Sequence, residues 1–314
     1  MKGLRTSRQS SMAVLAGTAG CGRQGGRDRP AARPRKPLAA LLATLILLLG
    51  CARFAAAAAP QDGYRFGVFP YLPALTIDEI FGPLAARFAT DLEHPVQLRT
   101  KSTFELFAAE LAAEAYDIIL VHPFFYIDAA DRYDYLPLAR VDDDLTAVVL
   151  VRADRPWHDW QDLAGRTLAL PPVLSAVSEM VAVALRARGL VPSVDVTLRH
   201  YASKVSCLHA AVLGDADGCA VPGFLPSQLE KVAEMNLRVM AKTSPIKHFV
   251  LAAHRRVAPA HRATLLRSLL GLPDSDGGRA ILAATAWPRF VAAQDQEYDP
   301  VRRYRAQRRT LAQR

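Results

Sequence analysis

A hydroxyl-bearing residue, Ser175, stands where a turn enters a helix, and the chemistry it offers is the holding of an anion. Ser175 directly precedes the apolar-periodic stretch from Ala176 to Arg188, and Ser102 and Thr103 open the stretch from Thr103 to Ala115. A helix amino terminus has backbone amides without intrahelical partners and the positive end of the helix dipole, so oxyanions are stable there. Ser175 would add a hydroxyl donor; it reads equally well as a plain N-cap. The run His122-Pro123-Phe124-Phe125-Tyr126 is aromatic enough to suit a flatter or more apolar ligand than phosphate. Covalent and metal chemistry find little support. The eight histidines show no His-x-x-x-His spacing, and no Cys-x-x-Cys, Gly-x-Ser-x-Gly or phosphate-loop motif occurs; the one Gly-x-Gly-x-x-Gly spacing, Gly20 to Gly25, falls in the basic leader and not after a strand. No metal, no cofactor and no catalytic residue is therefore expected, and Asp142-Asp143-Asp144 reads as a solvated turn before a strand.

Those residues need elements to position them, and the chain alternates short apolar strands with amphipathic helices, the pattern of a parallel α/β sheet. Strands are expected at Tyr64–Pro70, Val96–Arg99 and Asp117–His122, with helices at Thr76–Leu92, capped by Thr76, and Thr103–Ala115. After the apolar run Leu145–Arg152 a second series begins. It comprises strand Thr167–Leu170, helix Ala176–Arg188, strand Val194–Leu198, helix Val205–Leu213 and strand Gly218–Val221. His248–Ala253 and helices over Pro259–Leu270 and Ser275–Ala284 return to the first series. Open α/β sheets bind ligands at the carboxyl ends of their strands. That rule places Tyr71 after the first strand, Ser102, Thr103 and Phe104 after the second, and His122 and Phe124 after the third, all as candidate ligand contacts. Each aromatic among them has core packing as its ordinary alternative. His248 stands at the return crossing, facing the ligand or packing at the hinge.

With 314 residues, 51% of them apolar, the chain can bury a large core. The formal charge of +9 invites a nucleic-acid reading, so its location matters. Residues 1–59 hold ten Lys or Arg against the single acid Asp28, which accounts for the whole excess. Residues 60–300 carry a net −6, and the tail 301–314 has six Arg and no acid, as a solvated terminal helix would. The body lacks the footprint needed to bind a phosphate backbone.

The leading charge has another explanation. Arg33, Arg35 and Lys36 precede the apolar run Leu38–Leu49, which is followed by Gly50, Cys51 and the alanines 55–59, the order of an export signal. Twelve residues are too few to span a bilayer comfortably as a helix. Leu48-Leu49-Gly50-Cys51 looks like a bacterial lipobox, which would lipidate Cys51 and tether the chain in the periplasm; cleavage within the alanines would instead release a soluble protein. Once that leader is gone Cys207 and Cys219 remain. They are an even pair in an oxidising compartment and so a disulfide candidate, with two buried thiols as the alternative.

The order of segments then becomes recognisable. YRFGVFPYLP, YDIILVHPFFY, VVLVRADRPWHDWQDLAGRTLAL, RARGL, SCLHAAVLGDADGCAV and WPRFVAAQDQEYDPVRR together resemble the phosphate/phosphite/phosphonate solute-binding family of transport systems, from about Tyr64 to Tyr304. The resemblance implies the α/β two-lobe type II periplasmic-binding fold, each lobe a mostly parallel sheet flanked by helices, with ligand between the lobes. The implied division is a leader at 1–59, the first lobe at 60–144 and 245–300, the second at 145–244, and a basic tail at 301–314. It implies a small anionic ligand and an inner-membrane ABC permease as partners, no nucleic acid and no enzymatic activity. Where phosphonate binders have Ser-Thr-Ser, this chain has Leu174-Ser175-Ala176; where they often have histidine, it has Lys204, a cation still able to meet an anion. Phe104 stands where tyrosine is common, and Val221-Pro222-Gly223-Phe224 replaces the acids that meet a ligand amine. The same fold could instead report occupancy to a membrane kinase or cyclase, and a hydrolase of small phosphorus esters is a more distant alternative.

Overall fold

The computed structural model of the protein describes residues 63–223 and 234–312. Phe224 and the export signal with Cys51 lie outside the described residues. β1 (Tyr64–Val68), β2 (Val96–Arg99) and β3 (Ile118–Val121) run parallel, joined by α1 (Ala74–Leu92) and α2 (Phe104–Ala112). β4 (Tyr135–Val141), β12 (Val250–His254) and β13 (Phe290–Ala292) complete a six-stranded sheet of order β13-β4-β12-β3-β1-β2, each added through antiparallel pairing. A second sheet takes its strands from the middle of the chain. β6 (Ala147–Arg152), β7 (Thr167–Leu170), β8 (Thr197–His200), β9 (Gly218–Pro222) and β10 (Leu237–Lys242) lie in the order β10-β6-β9-β7-β8. Here α4 (Ala176–Arg186) and α5 (Lys204–Leu213) link strands that are parallel, whereas β6 and β10 pair antiparallel. Both sheets are thus mixed. Their parallel strands come from β–helix–β succession, and their antiparallel ones, β13 apart, border the two points where the chain changes lobe.

Those crossings are β5 (Asp144–Leu145) and β11 (Ile246–Lys247), which pair antiparallel as Leu145 with Ile246 and Asp144 with Lys247. Lys247 Nζ lies 3.0 Å from an Asp144 carboxylate oxygen, so one residue of the acidic triplet belongs to the crossing and not to a turn.

Between β3 and β5 lie two elements that sequence patterning does not announce, α3 (Pro123–Arg132) and β4. The first turn of α3 buries Phe124, Phe125, Tyr126 and Ile127 consecutively, so it lacks a 3.6-residue alternation. β4 contains Pro137, which ordinarily argues against a strand; it is accommodated where the pairing with β12 shifts register, between Leu251 and Ala252. β10 and β13 were not expected either, and the other differences are at ends. α1 starts at Ala74 with Pro73 at its cap instead of Thr76, and β8 starts at Thr197. α6 (Pro259–Leu270) and α7 (Asp276–Thr285) return to the larger lobe.

α8 (Asp299–Ala312) is no free solvated tail. Val301 is buried, and Arg302 bonds Asp131 at 2.8 Å, Asp295 at 2.7 Å and Asp299 at 3.1 Å. One face of the larger sheet buries Phe66 in a cluster with Phe81 and Phe88 of α1 and Leu265 and Leu269 of α6. The other contributes Phe69, Phe107 and Phe124 to an apolar cluster that continues into Val149, Leu168 and Met180 of the smaller lobe.

Candidate functional site

The contact that sets the site is made by a residue at the carboxyl end of β3. His122 is the N-cap of α3, where Pro123 follows at a position whose amide would have no helical partner anyway. Its Nδ1 accepts from the Phe125 amide at 3.3 Å and its Nε2 lies 3.0 Å from the Leu174 carbonyl oxygen. An amide only donates and a carbonyl only accepts, so the ring is neutral with its proton on Nε2. Burial at 1% exposure pushes its pKa down to about 3, against which the bond to Leu174 acts weakly. Both nitrogens are consumed by backbone, and the ring stacks on Phe125 at 4.4 Å.

Leu174 belongs to the smaller lobe and precedes Ser175, the N-cap of α4. Ser175 Oγ accepts from the Ser178 amide at 3.2 Å and donates to Ser178 Oγ at 3.1 Å, which donates in turn to the Pro171 carbonyl at 3.1 Å. The Glu179 amide bonds the Ser175 carbonyl. The amides of Ala176 and Val177 are the first-turn donors left for an outside acceptor. Ser178 was not among the expected site residues, although a serine three positions after a serine cap is a pattern the sequence displays.

Around His122 the rings converge. Phe69, also absent from the expected set, is the hub, edge-on to His122 at 5.2 Å, Phe104 at 6.1 Å and Phe249 at 4.9 Å, and stacked on Tyr71 at 4.8 Å. It lay inside the expected strand Tyr64–Pro70, where it read as one more core position, whereas the observed strand ends at Val68. Burial raises the pKa of the Tyr71 hydroxyl. Phe124 is buried beside His122, 6.3 Å between centroids. His248 packs on Phe249 at 4.4 Å and near Trp287 at 6.1 Å, and its Nδ1 is buried with no hydrogen-bond partner. Burial pushes its pKa down to about 4, with Asp143 and Asp144 pulling weakly upward. The structure therefore unites Tyr71, Phe104, His122, Phe124 and His248 in one aromatic cluster, with Ser175 across from it. Beside His122 a cavity of about 330 Å³ is lined by Ala112, Arg132 and Tyr133 of the larger lobe and by Leu174 and Glu179 of the smaller, with Arg305, which pairs with Asp128 and lies 4.0 Å from Glu179.

The other expected contacts stay apart from that cluster. Thr103 caps α2 by accepting from the Leu106 amide at 3.2 Å, and Ser102 beside it is exposed. Lys204 is the exposed first residue of α5, behind the Ser203 cap, with no ion pair among the described residues. Cys207 of α5 is paired with Cys219 of β9 as a disulfide, Cα to Cα 5.7 Å, tying that helix to the adjacent strand.

Residues 66–298 match the family described as the periplasmic substrate-binding protein of phosphonate ABC transporters. The chain belongs to that family. Its fold is found in solved structures of low identity. A binding-protein component of a phosphonate ABC transporter from Pseudomonas aeruginosa is 14% identical, with 78% of this chain and 86% of that one covered and a TM-score of 0.66. PhnD1 from Prochlorococcus marinus, solved with methylphosphonate, is 13% identical over 77% and 97%, with a TM-score of 0.68. XAC2383 from Xanthomonas citri, bound to ATP, is 15% identical over 78% and 99%, with a TM-score of 0.66. No curated protein matches the chain. Members of this phosphonate-transporter family are extracytoplasmic binding components of ABC systems, not enzymes, so the two-lobe type II fold and the role of solute capture both follow from membership.

Proposed function

We propose that this protein captures a small phosphorus oxyanion of the phosphonate, phosphate or phosphite type between its lobes and passes it to an inner-membrane ABC permease, without catalysing any reaction. The observation that carries this is the 3.0 Å contact of His122 with Leu174, which sets the carboxyl end of β3 against the amino terminus of α4. An oxyanion entering there meets the Ala176 and Val177 amides and the positive end of a helix dipole. Lys204, at the head of the neighbouring α5, supplies a cation. For the ligand to enter, the lobes, 60–144 with 245–300 and 145–244, part about the paired crossings β5 and β11 and the His122–Leu174 bond breaks. The ligand's contacts with both lobes then favour reclosure. Export through the leader and lipidation of Cys51 complete the assignment, tethering the protein beside its permease.

Calorimetric titration of the mature chain with methylphosphonate, phosphate and phosphite tests this reading. Saturable one-to-one binding of at least one of them is expected. Absence of heat and of any shift in melting temperature with all three would overturn it.

A further inference from the structure

Three helices each send one charged side chain to the cavity beside His122: Asp128 from α3, Glu179 from the first turn of α4 and Arg305 from α8. α8 is fastened along α3 by two rungs. Arg302 bonds Asp131 at 2.8 Å, and one turn further Arg305 pairs with Asp128. The two arginines and the two aspartates are each three residues apart, so each pair shares one helix face. The first rung stays within the larger lobe, where Asp295 and Asp299 are the other partners of Arg302. The second reaches across, since Arg305 Nη2 lies 4.0 Å from a Glu179 carboxylate oxygen of the smaller lobe.

Glu179 is awkwardly placed for a protein that holds an anion at the amino terminus of α4. It is 7% exposed and follows the Ser175 cap by four residues, its amide bonded to the Ser175 carbonyl. A carboxylate in a first turn complements the positive helix end and so competes with any outside anion for it. Burial leaves little water or salt to screen that competition. The charge of Arg305 is felt at the same place: burial is the chief cause of the low pKa of His122, and Arg305 adds to it. Of the charged groups lining the cavity, Arg132 and Arg305 balance Asp128 and Glu179. Arg132 is exposed and lies over the Tyr133 ring, 5.1 Å from its centroid, whereas Arg305 stands between the two carboxylates.

Resting on the proposed capture of a phosphorus oxyanion, we infer that Arg305 of the C-terminal helix is an affinity-determining residue, balancing the charge of Glu179 so that the positive end of α4 is left to the ligand. The helix that ends the chain thus acts on the anion site through a carboxylate of another lobe. This role differs in sign from that of a mechanical tie. Removing either partner breaks the same contact, but loss of Arg305 makes the cavity more negative and loss of the Glu179 charge makes it more positive.

The test is calorimetry of the mature chain and of R305M, E179Q and R305M/E179Q with methylphosphonate, phosphate and phosphite, folding being checked by melting temperature. R305M should weaken binding about three- to sixfold, as a unit charge acts over roughly 15 Å at an effective dielectric near 20 with partial salt screening. E179Q should tighten binding by a similar factor, and the double variant, whose cavity charge is that of the wild type, should return to within about twofold of it. E179Q decides the sign by itself if R305M does not fold. Weaker binding or unchanged affinity in E179Q, or a double variant as weak as R305M, would overturn the inference while leaving oxyanion capture standing. Failure of all three anions to bind the wild type would remove the reading on which it rests, and the inference with it.

Discussion

His122 Nε2 donates to the Leu174 carbonyl oxygen at 3.0 Å, joining the carboxyl end of a strand in the larger lobe to the residue before the α4 cap in the smaller one. Because the same ring accepts from the Phe125 amide, a single side chain fixes the start of α3 and the position of α4 together. The arrangement is suited to a protein that must close on a ligand reproducibly.

His122→Phe keeps a ring for Phe69 and Phe125 to pack on while removing both bonds. The loss of these bonds, with the Phe125 amide and the Leu174 carbonyl left unpaired, should cost about 1–3 kcal/mol in urea unfolding. Small-angle scattering of the unliganded variant should show a larger radius of gyration. An unchanged radius would mean that the bond does not hold the lobes.

Stability should fall as pH drops from about 6.5 towards 4. His122 and His248 have folded pKa values of about 3 and about 4, below the ordinary 6.5, so the unfolded chain binds protons that the folded chain refuses. Their contribution is fully present above pH 6.5. It is lost as pH falls, by up to about 1.4 kcal/mol per pH unit for each residue. Denaturant midpoints at pH 7, 5.5 and 4.5 should show the decline, and replacing either histidine by phenylalanine should make the slope shallower. Equal slopes in wild type and both variants would contradict the assignment.

The pairing of Cys207 with Cys219 closes a loop of 12 residues of separation. Closing so short a loop stabilises by about 3 kcal/mol on the chain-entropy account. Intact mass under non-reducing conditions should be lower by two hydrogens than under reduction, and C207A/C219A should lose stability of that order. Equal masses would show two thiols.

Lys204→Ala should weaken binding of a phosphonate by about 1–3 kcal/mol, with the difference shrinking as salt is raised. Calorimetry giving the wild-type affinity would remove Lys204 from the site.

The fold was largely legible because its strands and crossover helices carry clear periodicity, from Tyr64–Val68 to Gly218–Pro222. α3 and β4 were not, since four adjacent buried residues and an internal proline disguise a helix and a strand unless the neighbouring β12 is known. Site residues were legible by position and less so by role. The rule that ligands meet strand ends drew attention to His122 and Tyr71. It could not reveal that His122 spends both nitrogens on backbone, because one partner, Leu174, lies 52 residues away and in the other lobe. Phe69 and Ser178 escaped notice because their importance comes from convergence in space.

The most direct test of capture at the facing strand ends is an amide nuclear magnetic resonance titration of the isotopically labelled mature chain with propylphosphonate. The largest shifts should fall on Leu174, Ser175, Ala176 and Val177, and on Val121 and Phe125 around His122 in the larger lobe. Shifts confined to one lobe, or lying away from both helix starts, would contradict the account.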